Sequence, residues 1–352
     1  MSLFEAVAGL PLVIEEYALD RLERDVSSSF TRVSTVVKLF GAGTEGVGED
    51  VVYDVEDHDV IQEAGPVLPL AGAWTLGDFC NHVESLDLFP APPQREVSRR
   101  YRIWTFESAA LDLALRQASM PLHGALGRPP KPVRFVVSLR LGGPEVPSSM
   151  GPIRSRLDRY PGLEFKLDPV TDWTEELIAE LAQTGAVESV DFKGQYHGTV
   201  VDVDPDPELY ERVLRHLPNA WIEDPHTTPE IMALLEPHRD RVSWDAIIHS
   251  VADIEGLPWP PKMVNIKPSR LGPLHELFGA YEHCERNGIR MYGGGQFELG
   301  PGRGHIQYLA SLFHADGPND VAPSDYNDVD PPDGLPASPL EPRPADVGFR
   351  WI

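Results

Sequence analysis

MVNIKPSRLG, residues 263–272, puts four strand-like residues in front of Lys267 and follows them with a proline and a helix start. A single strand that ends in lysine means little, because solvated lysines commonly end strands. The stretch gains meaning from its neighbours. From about residue 131 short apolar runs alternate with amphipathic segments: VRFVVSLRL (133–141), LEFKLD (163–168), VESVDFK (187–193), AWIED (220–224), RVSWDA (241–246), MVNIK (263–267) and IRMYGG (289–294). A weaker run, NDVAP (319–323), makes an eighth. Helical patterns lie between them at 172–184, 206–217, 228–238, 272–287 and 304–313. Regular alternation of this kind calls for parallel strands joined by crossover helices. Seven or eight such units in about 190 residues suit a closed (β/α)7-8 TIM-type barrel better than an open sheet.

The first third reads differently. PLVIEEYAL (11–19), TRVSTVVKLF (31–40) and EGVGEDVVYD (45–54) are strand-like, and Gly41-Ala42-Gly43-Thr44 between the last two is a hairpin signal. Residues 75–86 and 104–126 read as helices, the second with an alanine-rich face fit for close packing. The tail at 330–344 is proline-rich and extended, then turns apolar in VGFRWI. The expected organisation is an N-terminal α+β capping domain over 1–130, completed by 325–352, and a barrel over 131–324.

Composition narrows the function. Asp and Glu number 55 against 30 Lys and Arg, a formal net charge of −25, which argues against nucleic acid as a partner. Two cysteines cannot form a disulfide framework, no apolar stretch approaches membrane-spanning length, and the N-terminus lacks a basic leader. A cytoplasmic protein with no membrane partner is expected.

Charged residues recur at the C-terminal ends of five successive runs: Lys166, Asp191, Glu223, Asp245 and Lys267. In a β/α barrel those ends face one mouth. Converging carboxylates repel, by about 4 kcal/mol for a pair 4 Å apart at an effective dielectric of 20, and a bound cation removes the penalty. An all-oxygen set favours a hard cation, Mg2+ with Mn2+ as a substitute. Lysines flanking such a site can act on a carboxylate substrate as acid and base.

WIEDP (221–225), VNIKPSRLG (264–272) and CERNGIRMYGGGQFELG (284–300), with STVVKLFGAGTEGVGED (34–50) and 106–128 in the cap, resemble the enolase superfamily, in its muconate-lactonising and methylaspartate-ammonia-lyase-like branches. The resemblance implies metal ligands Asp191, Glu223 and Asp245 and acid/base residues Lys166 and Lys267, often in a homo-oligomer. It has departures. The second-strand Lys-x-Lys reads Glu164-Phe165-Lys166, Asp-x-Asn reads Asp191-Phe192-Lys193, and Ala246 follows Asp245. No His-x-Asp pair stands at the seventh strand, and Lys166 stands where ammonia lyases use histidine.

By strand alternation Lys193 points into the mouth beside Asp191, to bind a second acidic group or to neutralise the carboxylates. The resemblance further implies that Asn265, two residues before Lys267, and Gln296, after the Gly293-Gly294-Gly295 run, touch substrate. His197, Tyr292 and the cap loop at 24–32 are weaker candidates. The reaction expected is loss of the proton α to a carboxylate, through a metal-stabilised enediolate, and then β-elimination of a lyase type. Racemisation or epimerisation by two opposed lysines is the alternative, and a non-catalytic binding barrel is a third reading.

Overall fold

The computed structural model describes residues 1–352 apart from 27–29, 144, 200–202 and 329, and of Asn327 only the backbone. Ser27, Ser28 and Ser29 of the cap loop therefore lie outside the described residues. The cap opens with α1 (Glu5–Ala8), β1 (Pro11–Ile14), β2 (Glu16–Val26), β3 (Phe30–Gly41) and β4 (Thr44–Asp50). It continues with α2 (Val55–Ala64), β5 (Gly72–Thr75), α3 (Leu76–Ser85), α4 (Ser98–Gln117) and α5 (Leu122–Leu126). Strands β2, β3 and β4 form an antiparallel sheet in that order, and β1 pairs apart from it with β5. The run at 11–19 is thus two strands, broken at Glu15. β2 continues through charged residues to Val26 because it is a solvated edge, where alternation of apolar and polar residues is not enforced.

Helix α4 is the cap's spine, and fifteen of its twenty residues are buried. It lies close on β4: a Cβ at Gly48 would stand 2.0 Å from the Thr105 carbonyl oxygen, so only glycine fits there.

The barrel strands are β6 (Val137–Leu139), β7 (Phe165–Leu167), β8 (Val187–Asp191), β9 (Trp221–Glu223), β10 (Val242–Trp244), β11 (Met263–Ile266) and β12 (Arg290–Gly293), parallel and in sequence order. Helices α6 (Gly151–Arg159), α7 (Glu175–Thr184), α8 (Pro207–His216), α9 (Pro229–Leu235), α10 (Val251–Glu255), α11 (Pro268–Leu271), α12 (Leu274–Asn287) and α13 (Pro301–Phe313) connect or follow them. The local signals are ordinary ones. Thr174, Asp206 and Thr228 cap α7, α8 and α9 through their side chains, and Gly185 and Gly288 end α7 and α12 in the left-handed conformation.

The eighth run closes the barrel without becoming a regular strand. Asn319 bridges Phe135 and Asp320 bridges Gly294. The Asn319 amide accepts from Gly293 N–H (2.7 Å) and donates to the carbonyls of Arg134, His314 and Gly317. One side chain thus supplies the pairing that a longer strand would make with backbone.

The C-terminal segment is a strap. Its middle packs on the barrel, where Val133 and Leu340 pair and Ser338 accepts from Phe135 N–H. Both its ends reach the cap: Asp325 and Asp328 pair with Arg24 of β2, and Phe349 packs edge-on against Trp104 while Asp112 accepts from Phe349 N–H and the Arg350 guanidinium.

Candidate active site

Strand order brings the five charged residues into one cluster. Asp191, Glu223 and Asp245 are fully buried, Lys166 is 2% exposed and Lys267 8%. Asp191 and Glu223 are direct neighbours across β8 and β9, and Ser243 on β10 continues the row beside Glu223. The amines thread between the acids. Lys166 Nζ contacts Glu223 Oε1 and lies 3.0 Å from Asp191 Oδ2 and 3.9 Å from Asp320 Oδ2. Lys267 Nζ donates to Asp245 Oδ2 at 2.7 Å. Glycine at 294 makes room for this arrangement, since a Cβ there would stand 2.7 Å from Lys267 Cε and 3.0 Å from Asn265 Nδ2.

Two further cations join. Lys193, half-buried and in the left-handed conformation (φ 55°), contacts Asp191 Oδ2 and lies 3.4 Å from Asp168 Oδ1. Arg270 donates to Asp245 Oδ1 at 2.6 Å and to its carbonyl at 2.5 Å. The Tyr196 hydroxyl donates to Asp245 Oδ2 at 2.9 Å, the oxygen that Lys267 also uses. Asp224 plays a different part: its two oxygens accept from Asp245 and Ala246 N–H, 2.8 Å each, and so fix the end of β10.

The charges set each other. Burial acts to raise Asp191 and Asp245, but Lys166 and Lys193 hold the first below its usual range, and Arg270 and Lys267 the second. Burial drives Glu223 well above the usual carboxylate range; Lys166 opposes, while Asp191 and Asp245 add to it. The two lysines part company. Against burial, Asp191 and Glu223 keep Lys166 protonated well above its ordinary value. Lys267 is lowered by burial first, with Arg270 and Lys166 adding and Asp245 opposing.

The donors suit a hard cation. Three buried carboxylates lie in one electrostatic cluster with the hydroxyls of Ser189 and Ser243, and no sulfur or imidazole is among them. The oxygens are meanwhile drawn to amines, and among the described residues no three acidic, histidine or cysteine side chains converge as metal ligands. By donor chemistry the set fits a divalent ion held by Asp191, Glu223 and Asp245, with the amines as competitors for the same oxygens.

Asn265 is 1% exposed, and among the described residues neither amide atom has a hydrogen-bond partner, nor does the neighbouring Tyr292 hydroxyl. Gln296 is otherwise engaged. Its Oε1 accepts from Tyr53 (2.9 Å) and its Nε2 donates to Tyr101 (3.2 Å), both in the cap. His197 is exposed. Just past β7, Asp168 shares the mouth with Lys166 and is paired to Lys193 and Arg140, while Glu164, just before the strand, sits at its opposite end on Arg134. Sequence reasoning missed Arg270, Tyr196 and Asp320. Arg270 had a signal, since it stands three residues past Lys267, one turn of α11 on. Asp320 had one too, in the weak eighth run. Tyr196 lies on a loop with no periodicity to place it.

Comparison with known proteins bears on the family and the fold. Two family models, the N- and C-terminal domains of a domain of unknown function (DUF8230), match residues 5–125 and 129–328. An N-succinylamino acid racemase of Thermus thermophilus is 25% identical over 325 residues, 86% of this chain and 81% of that protein. An o-succinylbenzoate synthase of Geobacillus stearothermophilus is 24% identical over 340 residues, 89% of this chain and 85% of that one. The fold matches a dipeptide epimerase from Methylococcus capsulatus, solved in complex with Mg ion, with a TM-score of 0.67 at 19% identity over 88% of this chain and 90% of the other. No helix among the described residues is long and apolar enough to cross a membrane. With a capped barrel, charged strand ends at one mouth and matches along nearly its whole length, the chain belongs to the DUF8230 family and is an enolase-superfamily enzyme.

Proposed function

We propose that the enzyme removes the proton α to the carboxylate of a small-molecule substrate, with Lys267 acting from one side of the substrate carbon and Lys166 from the other. The observation that carries this reading is the interleaving of two buried lysines, from β7 and the end of β11, with three buried acids on the strands between. The lysines are set unlike one another. Lys267 is pushed toward the neutral amine, which a base must be, and Lys166 is kept as ammonium, which an acid must be. Unlike settings suit a one-way β-elimination, in which Lys267 takes the α-proton and Lys166 protonates the leaving group.

Asp191, Glu223 and Asp245 would hold Mg2+, or Mn2+ in its stead. Bound there, the ion would supply positive charge beside the carboxylate that gains electron density. Asn265 supports substrate contact, because a buried amide with neither end satisfied is costly unless a ligand completes it. Lys193 and Gln296 were the other expected contacts. Lys193 stands at the rim with its charge already shared by Asp168 and Asp191, so an anionic substrate group would have to compete with them.

Racemisation or epimerisation is the second reading. It is favoured by amines reaching the cluster from strands on either side of the acids, and it accords with the racemase and epimerase among the similar proteins. The experiment is hydrogen exchange in D2O, using both configurations of N-succinyl amino acids as probes, with Mg2+ present, followed by proton NMR. Exchange at the α-carbon is expected. Deuterium in both configurations marks an isomerase, and a new conjugated double bond marks a lyase. Wild-type protein that leaves every α-proton in place would overturn the proposal for this substrate class.

A further inference from the structure

We infer that Lys166 is the resident counter-ion of the acid cluster, competing with a divalent ion for the Asp191 and Glu223 oxygens and held there until the ion and an anionic substrate arrive together. The inference rests on the metal part of the proposed function. Its basis is geometric. Lys166 Nζ touches Glu223 Oε1, stands 3.0 Å from Asp191 Oδ2 and has Asp320 Oδ2 at 3.9 Å, so three acids from three separate segments surround one ammonium. Lys166 is 2% exposed, and both principal partners are fully buried. A lysine sealed in this way cannot exchange its partners for water, as a surface lysine would.

The resident cations explain why displacement needs help. The inner oxygens are already paired: Lys166 lies on Asp191 and Glu223, Lys193 on Asp191 and Asp168, and Lys267 and Arg270 on Asp245. A divalent ion added among these oxygens meets the resident cations at close range in a buried site. That crowding is unfavourable unless the ammonium withdraws or a carboxylate enters with the ion. Lys193 and Arg270 are poorer competitors for the inner oxygens. Lys193 is shared with Asp168 at the rim, and Arg270 is also tied to the Asp245 carbonyl. A displaced Lys166 ammonium would be free to face the substrate, so one residue could serve first as counter-ion and then as proton donor.

The test measures ion binding without turnover. Mn2+ is titrated into wild type and Lys166→Met, with the free-ion signal followed by electron paramagnetic resonance. Thermal unfolding is recorded with and without Mg2+. Lys166→Met is expected to bind Mn2+ at least tenfold more tightly than wild type, and to gain a Mg2+-dependent rise in Tm that wild type lacks. Lys166→Met/Glu223→Gln, which removes one charge of each sign, is expected to fold without metal and to lose the gain. Recovery of Lys166→Met in folded form only with Mg2+ supports the inference. Equal Mn2+ affinity in wild type and variant overturns it, as does a variant unfolded with and without the ion. If neither protein binds Mn2+ at millimolar concentration, the metal part of the proposed function fails as well, which tells the two failures apart.

Discussion

Buried carboxylates do opposite jobs in two regions of the molecule. At the seam between cap and barrel they meet backbone N–H groups. Glu49 on β4 accepts from Leu299, Gly300 and Gly302 at 2.6–2.9 Å, and so caps α13; Glu107 on α4 accepts from Leu274 at 2.6 Å, and so caps α12. The cap thus lends an acceptor oxygen to the unpaired N–H groups at the start of each of two barrel helices. At the mouth the carboxylates meet lysine and arginine instead. A carboxylate on backbone donors has nothing to trade with and fixes two domains together. One on a flexible ammonium can give it up to an ion or a substrate. Removing Lys267 should therefore damage chemistry more than stability, because Arg270 and Tyr196 still hold Asp245, and seam variants should do the reverse.

The largest effect tests the mouth. Lys267→Ala removes the amine with the lowered proton affinity, and α-proton exchange should fall by about 10²- to 10⁴-fold. Thermal unfolding should stay close to wild type. Exchange within threefold of wild type would remove Lys267 from the chemistry and erase the contrast between the regions.

Next is the cap's own ion pair. Arg102 Nε donates to Asp50 Oδ2 at 2.8 Å with both side chains buried, and the guanidinium lies 3.7 Å over the Phe89 ring. Arg102→Met leaves a buried carboxylate unpaired and should cost about 3–5 kcal/mol by urea unfolding. The surviving folded fraction should keep its exchange rate per molecule.

A third test uses pH at the seam. Burial, with Glu84 adding and Leu274 N–H opposing, pushes Glu107 up to about 8 from a starting value of 4.5. Between those values the folded protein keeps a proton that the unfolded chain has lost, so stability falls as pH rises and the loss is complete above about 8. Wild type should lose on the order of 2–4 kcal/mol across this window through Glu107. Glu107→Gln should flatten that part of the slope, as read from urea midpoints at pH 5, 7 and 9. A variant with the wild-type slope would show that Glu107 is already ionised.

The two regions also differ in how far the chain revealed them in advance. The mouth was legible because β/α repetition turns spacing into position: Lys166, Asp191, Glu223, Asp245 and Lys267 each follow an apolar run, and the fold gathers them. The seam was not, because a cap such as Glu49 joins residues about 250 apart in the chain, and no periodicity encodes that distance. The same limit hid Tyr196, which reaches Asp245 from a loop, and Asn319, whose side chain closes the barrel where an eighth strand was expected. Elements set by solvent also escaped: the charged continuation of β2, helix α2 in a polar stretch, and the start of α4 at Ser98 among arginines.

Gln296 stands on the border between the regions and gives the sharpest comparison with the smallest effect. The family resemblance put it in a substrate loop, and the strand before it, β12, does end at the mouth. Its amide nevertheless bridges Tyr53 and Tyr101, its N–H donates to Glu298 at 2.7 Å, and the next residue's carbonyl accepts from Arg32 at 3.3 Å. Three bonds from the cap converge on two residues, so this loop is the point at which the cap grips the barrel. Gln296→Met keeps the volume and removes both tyrosine bonds. Two neutral hydrogen bonds lost from a buried site should cost about 1–3 kcal/mol of stability. Exchange should change less than threefold, because no amine or acid of the mouth touches the amide. A tenfold loss of exchange with an unchanged unfolding midpoint would move Gln296 into the mouth, and the seam would then carry part of the substrate site.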